Sequence, residues 1–127
     1  MSQVETIGHY SNAIYNLTTL SGYPRIPNRE AKTYVARRTP FMGSNLYAVH
    51  QGDLYVVYSY GRHFPLAVYD SDTALWYGNS DKYSRSTARH KSHCGHPGEA
   101  NPHTTSQLIN IVMAGGYINA VDCRLAA

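Results

Sequence analysis

Hydrophobic and polar positions change rhythm along this chain, and each change predicts a different element. Between residues 1 and 30, Tyr10, Ile14 and Leu17 fall at i, i+4 and i+7, the spacing of one side of a short helix. Ser21-Gly22-Tyr23-Pro24 would close that helix, and Pro27 follows. From Ala31 the texture turns to strand formers. Lys32 to Arg38 is rich in them and free of Gly and Pro, and Thr39 to Ser44 reads as a loop. Asn45 to His50, Asp53 to Tyr60, Phe64 to Tyr69 and Thr73 to Tyr77 follow, separated by Gln51-Gly52, Gly61-Arg62 and Asp70-Ser71-Asp72. Short segments with a turn signal between each pair predict an antiparallel meander. Leu54-Tyr55-Val56-Val57-Tyr58 is nearly continuously apolar, as a central strand covered on both faces should be. Pro65 has no amide hydrogen and is expected at a strand start or an edge.

Beyond Gly78-Asn79 the rhythm becomes helical. Ser84 to His93 can form a short helix with Ser84 or Ser86 as its N-cap, and Cys94-Gly95-His96-Pro97-Gly98 stops it. Thr104 or Thr105 can cap a second helix that places Leu108, Ile111 and Val112 on one face, with Gly115-Gly116 at its end. Tyr117 to Leu125 reads as a last strand or extended tail. The expected class is α+β: an antiparallel β-meander of about five strands with one or two short helices in a single domain. Residues 1–30 form an N-terminal segment, 31–80 the meander, and 81–127 a basic loop, helix and tail.

Composition sharpens this picture. A chain of 127 residues with 43% hydrophobic positions is long and apolar enough for one packed core. That apolar share leans on 12 Tyr against 2 Phe and 1 Trp. A tyrosine buries its ring but needs a partner for its hydroxyl, so such a chain favours half-wet sheet faces or a binding surface. No apolar run is long enough to span a bilayer, and the start lacks the basic-then-apolar order of a signal peptide. The two cysteines, Cys94 and Cys123, fit free thiols in a reducing compartment better than a disulfide framework.

The formal net charge is only +3, but it is unevenly spread. Lys82 to His96 carries Lys82, Arg85, Arg89 and Lys91 with His90, His93 and His96, and no acid. A second basic cluster, Arg29, Lys32, Arg37 and Arg38, has only Glu30 against it. Clustered positive charge attracts phosphates through a long-range, salt-sensitive field.

Reactive side chains crowd the same segment without forming a recognisable catalytic frame. His90, His93, Cys94 and His96 lie close together, but a closed zinc site draws ligand pairs from two elements and no second pair exists. No metal and no cofactor is therefore expected. Ser84, Ser86, Thr87 and Cys94 are surrounded by no Gly-x-Ser-x-Gly elbow, and there is no Walker A loop or Gly-x-Gly-x-x-Gly. No residue is assigned as catalytic. A metal-independent nuclease or nucleotide-processing enzyme, with His63 or His90 as acid or base and Arg62, Arg85 and Arg89 on the phosphate, is the alternative. A binding surface needs fewer assumptions. Tyr55, Tyr58, Tyr60, Tyr69, Trp76 and Tyr77 lie on successive predicted strands, and alternation brings a subset onto one face. Tyrosines beside Arg and Lys stack bases and hold phosphates, and they anchor protein interfaces equally well. The predicted contact residues are Tyr58, Tyr60, Arg62, His63, Lys82, Tyr83, Ser84, Arg85, Thr87, Arg89 and His90.

Two stretches carry a resemblance. Gly52-Asp53-Leu54-Tyr55-Val56-Val57-Tyr58-Ser59-Tyr60-Gly61, continuing to Phe64-Pro65-Leu66-Ala67, is one; Lys82-Tyr83-Ser84-Arg85-Ser86-Thr87-Ala88-Arg89-His90 is the other. With the Pro40-Phe41 to Asn45 loop, they resemble a group of small, uncharacterised proteins encoded by bacteriophages, over residues 31–97. No activity is established for that group, so no catalytic residue carries over. The resemblance implies a phage accessory protein acting in the bacterial host cytoplasm, or a virion component. Its expected partner is a host protein or a phosphate-bearing ligand, nucleic acid or nucleotide, with no membrane involved. A structural phage protein whose tyrosines join copies into a homo-oligomer is the further alternative.

Overall fold

The computed structural model describes residues 23–61, 64–82 and 84–126, with side chains as far as Asp122. The helix expected around Tyr10 to Leu17 lies outside the described residues. A single 3₁₀ turn, Asn28–Glu30, leads into helix α1, Ala31–Ala36. Strands β1 (Phe41–Met42), β2 (Leu46–Gln51), β3 (Leu54–Ser59), β4 (Pro65–Asp70) and β5 (Leu75–Asn79) follow. Helix α2 is Arg85–His93, strand β6 Pro102–His103, helix α3 Thr105–Ala114 and helix α4 Tyr117–Ala126. The strands form one six-stranded sheet in chain order. All neighbours are antiparallel except β5 and β6, which run parallel. The chain is thus a single α+β domain built on a mostly antiparallel sheet. Among the described residues no helix is long and apolar enough to cross a membrane.

Two segments depart from the strand reading. Lys32 to Arg38 was expected to open the meander, yet it lies in α1 and the turn after it. Thr33, Tyr34 and Val35 favour strands locally, but Ala31 and Val35 are one helical turn apart and bury together on the sheet. Tyr117 to Leu125 is likewise the helix α4 and not an extended tail. Its first amide, Tyr117 N–H, donates to Asp70 Oδ2 at 2.8 Å, so a carboxylate from the end of β4 caps it. Asp70 Oδ1 also accepts the Asp72 N–H at 2.8 Å, the local turn bond that aspartate is suited to make.

Phe41–Met42, inside the segment read as a loop, pairs with β2 as a short edge strand, and Pro102–His103 adds a parallel strand that no local signal marks. The helix boundaries at Ser84, Thr104 and Gly115 follow their sequence signals. Ser84 caps α2, accepting the Thr87 N–H. Thr104 and Gln107 form a reciprocal capping box on α3, and Gly115 ends that helix at φ 83°. Pro65 opens β4, where its missing donor costs nothing in the ladder.

Each face of the sheet is buried under helices. On one face Tyr47, Val49, Leu54, Val56, Tyr58, Val68 and Tyr77 pack against Leu108, Ile111, Val112 and Ala120 of α3 and α4. On the other, Phe41, Leu46, Ala48, Tyr55, Val57 and Leu66 pack against Ala31 and Val35 of α1 and Cys94 at the end of α2. Burial on both sides explains why β3 reads as an unbroken apolar run.

The second face is ordered in rows across the strands. Ala48, Val57, Ala67 and Gly78 are register partners from β2 to β5, a row of small side chains. Small residues let covering backbone approach closely. Gly78 and Gly98 meet backbone to backbone, and a Cβ on Gly78 would lie 2.5 Å from the Gly98 carbonyl oxygen. The Gly78 N–H also donates to the Asn101 carbonyl at 3.1 Å. The loop after α2 is thereby pressed onto β5 and delivers β6 to the sheet edge.

Candidate functional site

The site forms where β3 ends beneath α2. Alternation along β3 turns Tyr55, Val57 and Ser59 toward the α2 face and Tyr58 away from it. Ser59 is fully buried and shares a 2.7 Å hydrogen bond with Nδ1 of His90, also buried. Thr87, one helical turn before His90, is buried too, so this stripe of α2 faces the sheet. Tyr60 follows at φ 70°, a left-handed conformation costing about 1 kcal/mol for a non-glycine residue. Its amide donates to the Asn45 carbonyl at 2.8 Å, and the preceding Ser59 N–H to the Phe64 carbonyl at 3.2 Å, which hold the bend. The bend lifts the Tyr60 ring out of the sheet and leaves it 53% exposed, with its centroid 5.2 Å from that of His90.

A serine bonded to a histidine suggests a nucleophile and its base. Burial decides against that use here: Ser59 has no exposed surface, so Oγ is not presented to a substrate. Burial also pushes the His90 pKa below its ordinary 6.5, with His93 and Arg89 adding like-charge repulsion. His90 is therefore a neutral buried ring that ties α2 to β3 and supports Tyr60 from beneath.

Stability should carry that signature. With a folded-state pKa below 6.5, His90 takes up a proton more readily in the unfolded chain. The protein is expected to keep its full stability above about pH 6.5 and to lose it progressively as pH falls through the window below that value. Thermal melts of the wild type and of His90→Gln at neutral pH and at about pH 5.5 test this. An acid slope that is the same in both proteins would remove His90 as its source.

Exposed basic side chains lie on and just before the same helix. Lys82, Ser84, Arg85 and Arg89 are exposed at and after the start of α2. The nearby acid does not neutralise them. Asp81 Oδ2 accepts the Thr105 N–H at 2.8 Å, and this hydrogen bond, with one from the Thr105 hydroxyl, holds the carboxyl below its ordinary range. Asp81 therefore serves chiefly the first turn of α3, with a weaker attraction from Lys91.

Among the predicted contact residues, Lys82, Ser84 and Arg85 lie at the start of α2, and Arg89 and His90, with Tyr60 against His90, lie one turn further along it. Three do not join the exposed surface: His90 is buried beneath the Tyr60 ring, and Tyr58 and Thr87 are buried elsewhere. Tyr58 points to the opposite face, where its ring stacks on Tyr47 at 5.3 Å and its hydroxyl donates to Gln51 Oε1 at 2.7 Å. Thr87 is buried, and only its backbone and hydroxyl meet the Ser84 cap. Arg62, His63 and Tyr83 lie outside the described residues. Cys94 is a core residue whose thiol burial pushes up to about 12, so it presents no thiolate. Ser59 is the residue that sequence missed: its partner lies 31 positions away, and only the fold joins them.

Neither a protein-family model, nor a curated protein, nor a solved structure matches this chain.

Proposed function

We propose that this protein is a small binding module that takes a phosphate-bearing ligand, a single-stranded nucleic acid or a nucleotide, at the start of α2. The observation that carries this reading is the exposed Tyr60 ring, held at positive φ over a neutral histidine beside uncompensated basic side chains. A protein keeps a strained, half-exposed aromatic when something uses it. Tyr60 offers a flat face for a base, and Lys82, Arg85 and Arg89 offer charge to phosphates. The first amides of α2, beside Lys82 and Arg85, add a positive helix end one turn before the ring. The resemblance to phage proteins suggests that the ligand is one made or used by a bacterial host, so that binding serves to sequester or disable it.

Fluorescence anisotropy with short single-stranded RNA, single-stranded DNA and nucleotides, each at a low and a moderate salt concentration, tests the reading. Binding is expected at low salt, weakening as salt rises. Arg85→Ala with Arg89→Ala should flatten the dependence of log affinity on log salt by about 1.4, since each lost phosphate contact removes about 0.7 on a single strand. Tyr60→Ala should weaken binding roughly tenfold. Absence of binding to every probe at low salt would sink the proposal and leave a protein partner as the better reading.

A further inference from the structure

A second row on the same face of the sheet is aromatic. His50, Tyr55, Tyr69 and Trp76 are direct register partners across β2, β3, β4 and β5. Ring centroids are 5.3 Å apart for His50 and Tyr55, 6.0 Å for Tyr55 and Trp76, and 5.4 Å for Tyr69 and Trp76. Tyr55 is buried at the bottom of the group, its hydroxyl donating to the Thr39 carbonyl at 2.8 Å. Tyr69 and Trp76 are half-buried above it, and His50 is exposed. Tyr55 is closed over by the cluster that holds Ala31 and Val35 of α1 and Cys94, while Tyr69 and Trp76 pack against its margin and keep part of their surface open. What reaches the row is Arg38, at φ 51°, with its guanidinium 4.3 Å from the Tyr69 ring centroid. Arg37 is exposed beside it in sequence.

A covered sheet position needs only apolar volume, which leucine or valine supplies as well as an aromatic ring. Tyr69 and Trp76, tilted 59° to each other, each offer a separate part-open ring face, and a guanidinium laid on Tyr69 adds positive charge beside them. We propose that this row is a stacking platform for the bases of a single-stranded nucleic acid, with Arg38 and Arg37 contacting its phosphates. Every base has a π face, so such a platform tolerates any sequence, and a guanidinium on a ring can itself be stacked upon. The acids nearby are Asp53 and Asp72, in the turns that close this end of the sheet. They disfavour a phosphate chain running off the strand ends. The strand of nucleic acid therefore crosses the β-strands, along the row. Tyr55 and Ser59 are four residues apart on β3, about 13 Å at ~3.3 Å per residue. The platform is thus a separate surface from the start of α2, and it stands or falls independently of it.

Trp76 is the only tryptophan in the chain, so its fluorescence reports on this row alone. The full-length protein is titrated with oligothymidylate and with oligouridylate, with a DNA duplex as control, while tryptophan emission and probe anisotropy are both followed. Saturable quenching by the single strands and little by the duplex is expected. Tyr69→Leu, which keeps apolar volume and loses the flat ring, should weaken binding roughly tenfold, whereas Tyr69→Phe should bind as wild type does. Arg38→Gln, at an exposed position, should weaken binding several-fold and steepen no other property of the chain. Binding seen by anisotropy with no change in tryptophan emission would overturn the platform and leave the α2 surface as the binding site. Equal affinity of Tyr69→Leu and wild type would overturn it as well, as would quenching by a peptide or protein alone.

Discussion

Gly78→Ala is expected to lower the unfolding free energy by about 3 kcal/mol. A Cβ there would lie 2.5 Å from the Gly98 carbonyl oxygen, 2.6 Å from its carbon and 2.8 Å from the Pro97 oxygen. All three are backbone atoms, so no side chain can swing aside. Either β5 or the 97–98 segment must move, and moving that segment draws Asn101 away from the Gly78 N–H and from the Trp76 carbonyl that its side chain holds at 2.9 Å. Gly52→Ala is the matched control. Gly52 has φ 62° but nothing within 4 Å of an added Cβ, so only the backbone preference is lost, about 1 kcal/mol. Urea denaturation of the two variants separates close approach from conformational strain. A Gly78→Ala cost no larger than that of Gly52→Ala would show that the loop is not pressed on β5.

His90→Ala should cost a similar amount, about 3 kcal/mol, for a different reason. It removes a buried ring, empties the space under Tyr60 and leaves the buried Ser59 hydroxyl without its partner. Ser59→Ala removes the smaller half of the pair and should cost about 1–2 kcal/mol. The double variant should cost less than the sum, because the orphaned hydroxyl is removed along with the imidazole. Strict additivity in urea would mean that the two groups do not depend on each other. Ligand affinity should fall in His90→Ala along with stability, since Tyr60 loses the ring beneath it.

Much of the architecture was legible because its signals are local. The meander from Leu46 to Asn79 follows from apolar segments and turn residues, and the caps at Ser84 and Thr104 follow from one hydroxyl each. The strand reading failed at Thr33-Tyr34-Val35 and at Tyr117 to Leu125, where the deciding interactions are remote in sequence. Ala31 and Val35 are helical because a sheet face lies beneath them, and α4 starts where the Asp70 carboxylate reaches it. The site divided in the same way. The basic run and Tyr60 were visible as composition, but Tyr58 and Tyr60 share a face by alternation, and only the bend at Tyr60, φ 70°, brings that ring to the α2 side while Tyr58 stays in the opposite core. The pairing of Ser59 with His90, and the alignment of His50, Tyr55, Tyr69 and Trp76, depend on strand register, which no single segment specifies.

The two edge strands set how any partner can be recruited. β1 and β6 are each two residues long, and β1 is further flanked by the Arg25 bridge to Met42. An incoming chain that tried to extend the sheet at β1 or β6 would find a ladder of a residue or two, too short to carry a complex through main-chain bonds. The same brevity guards against edge-to-edge association of copies during folding. Under the proposed reading, recognition among the described residues runs through side chains, on the part-open rings of a sheet face or at a helix end, and its specificity is that of rings and charges.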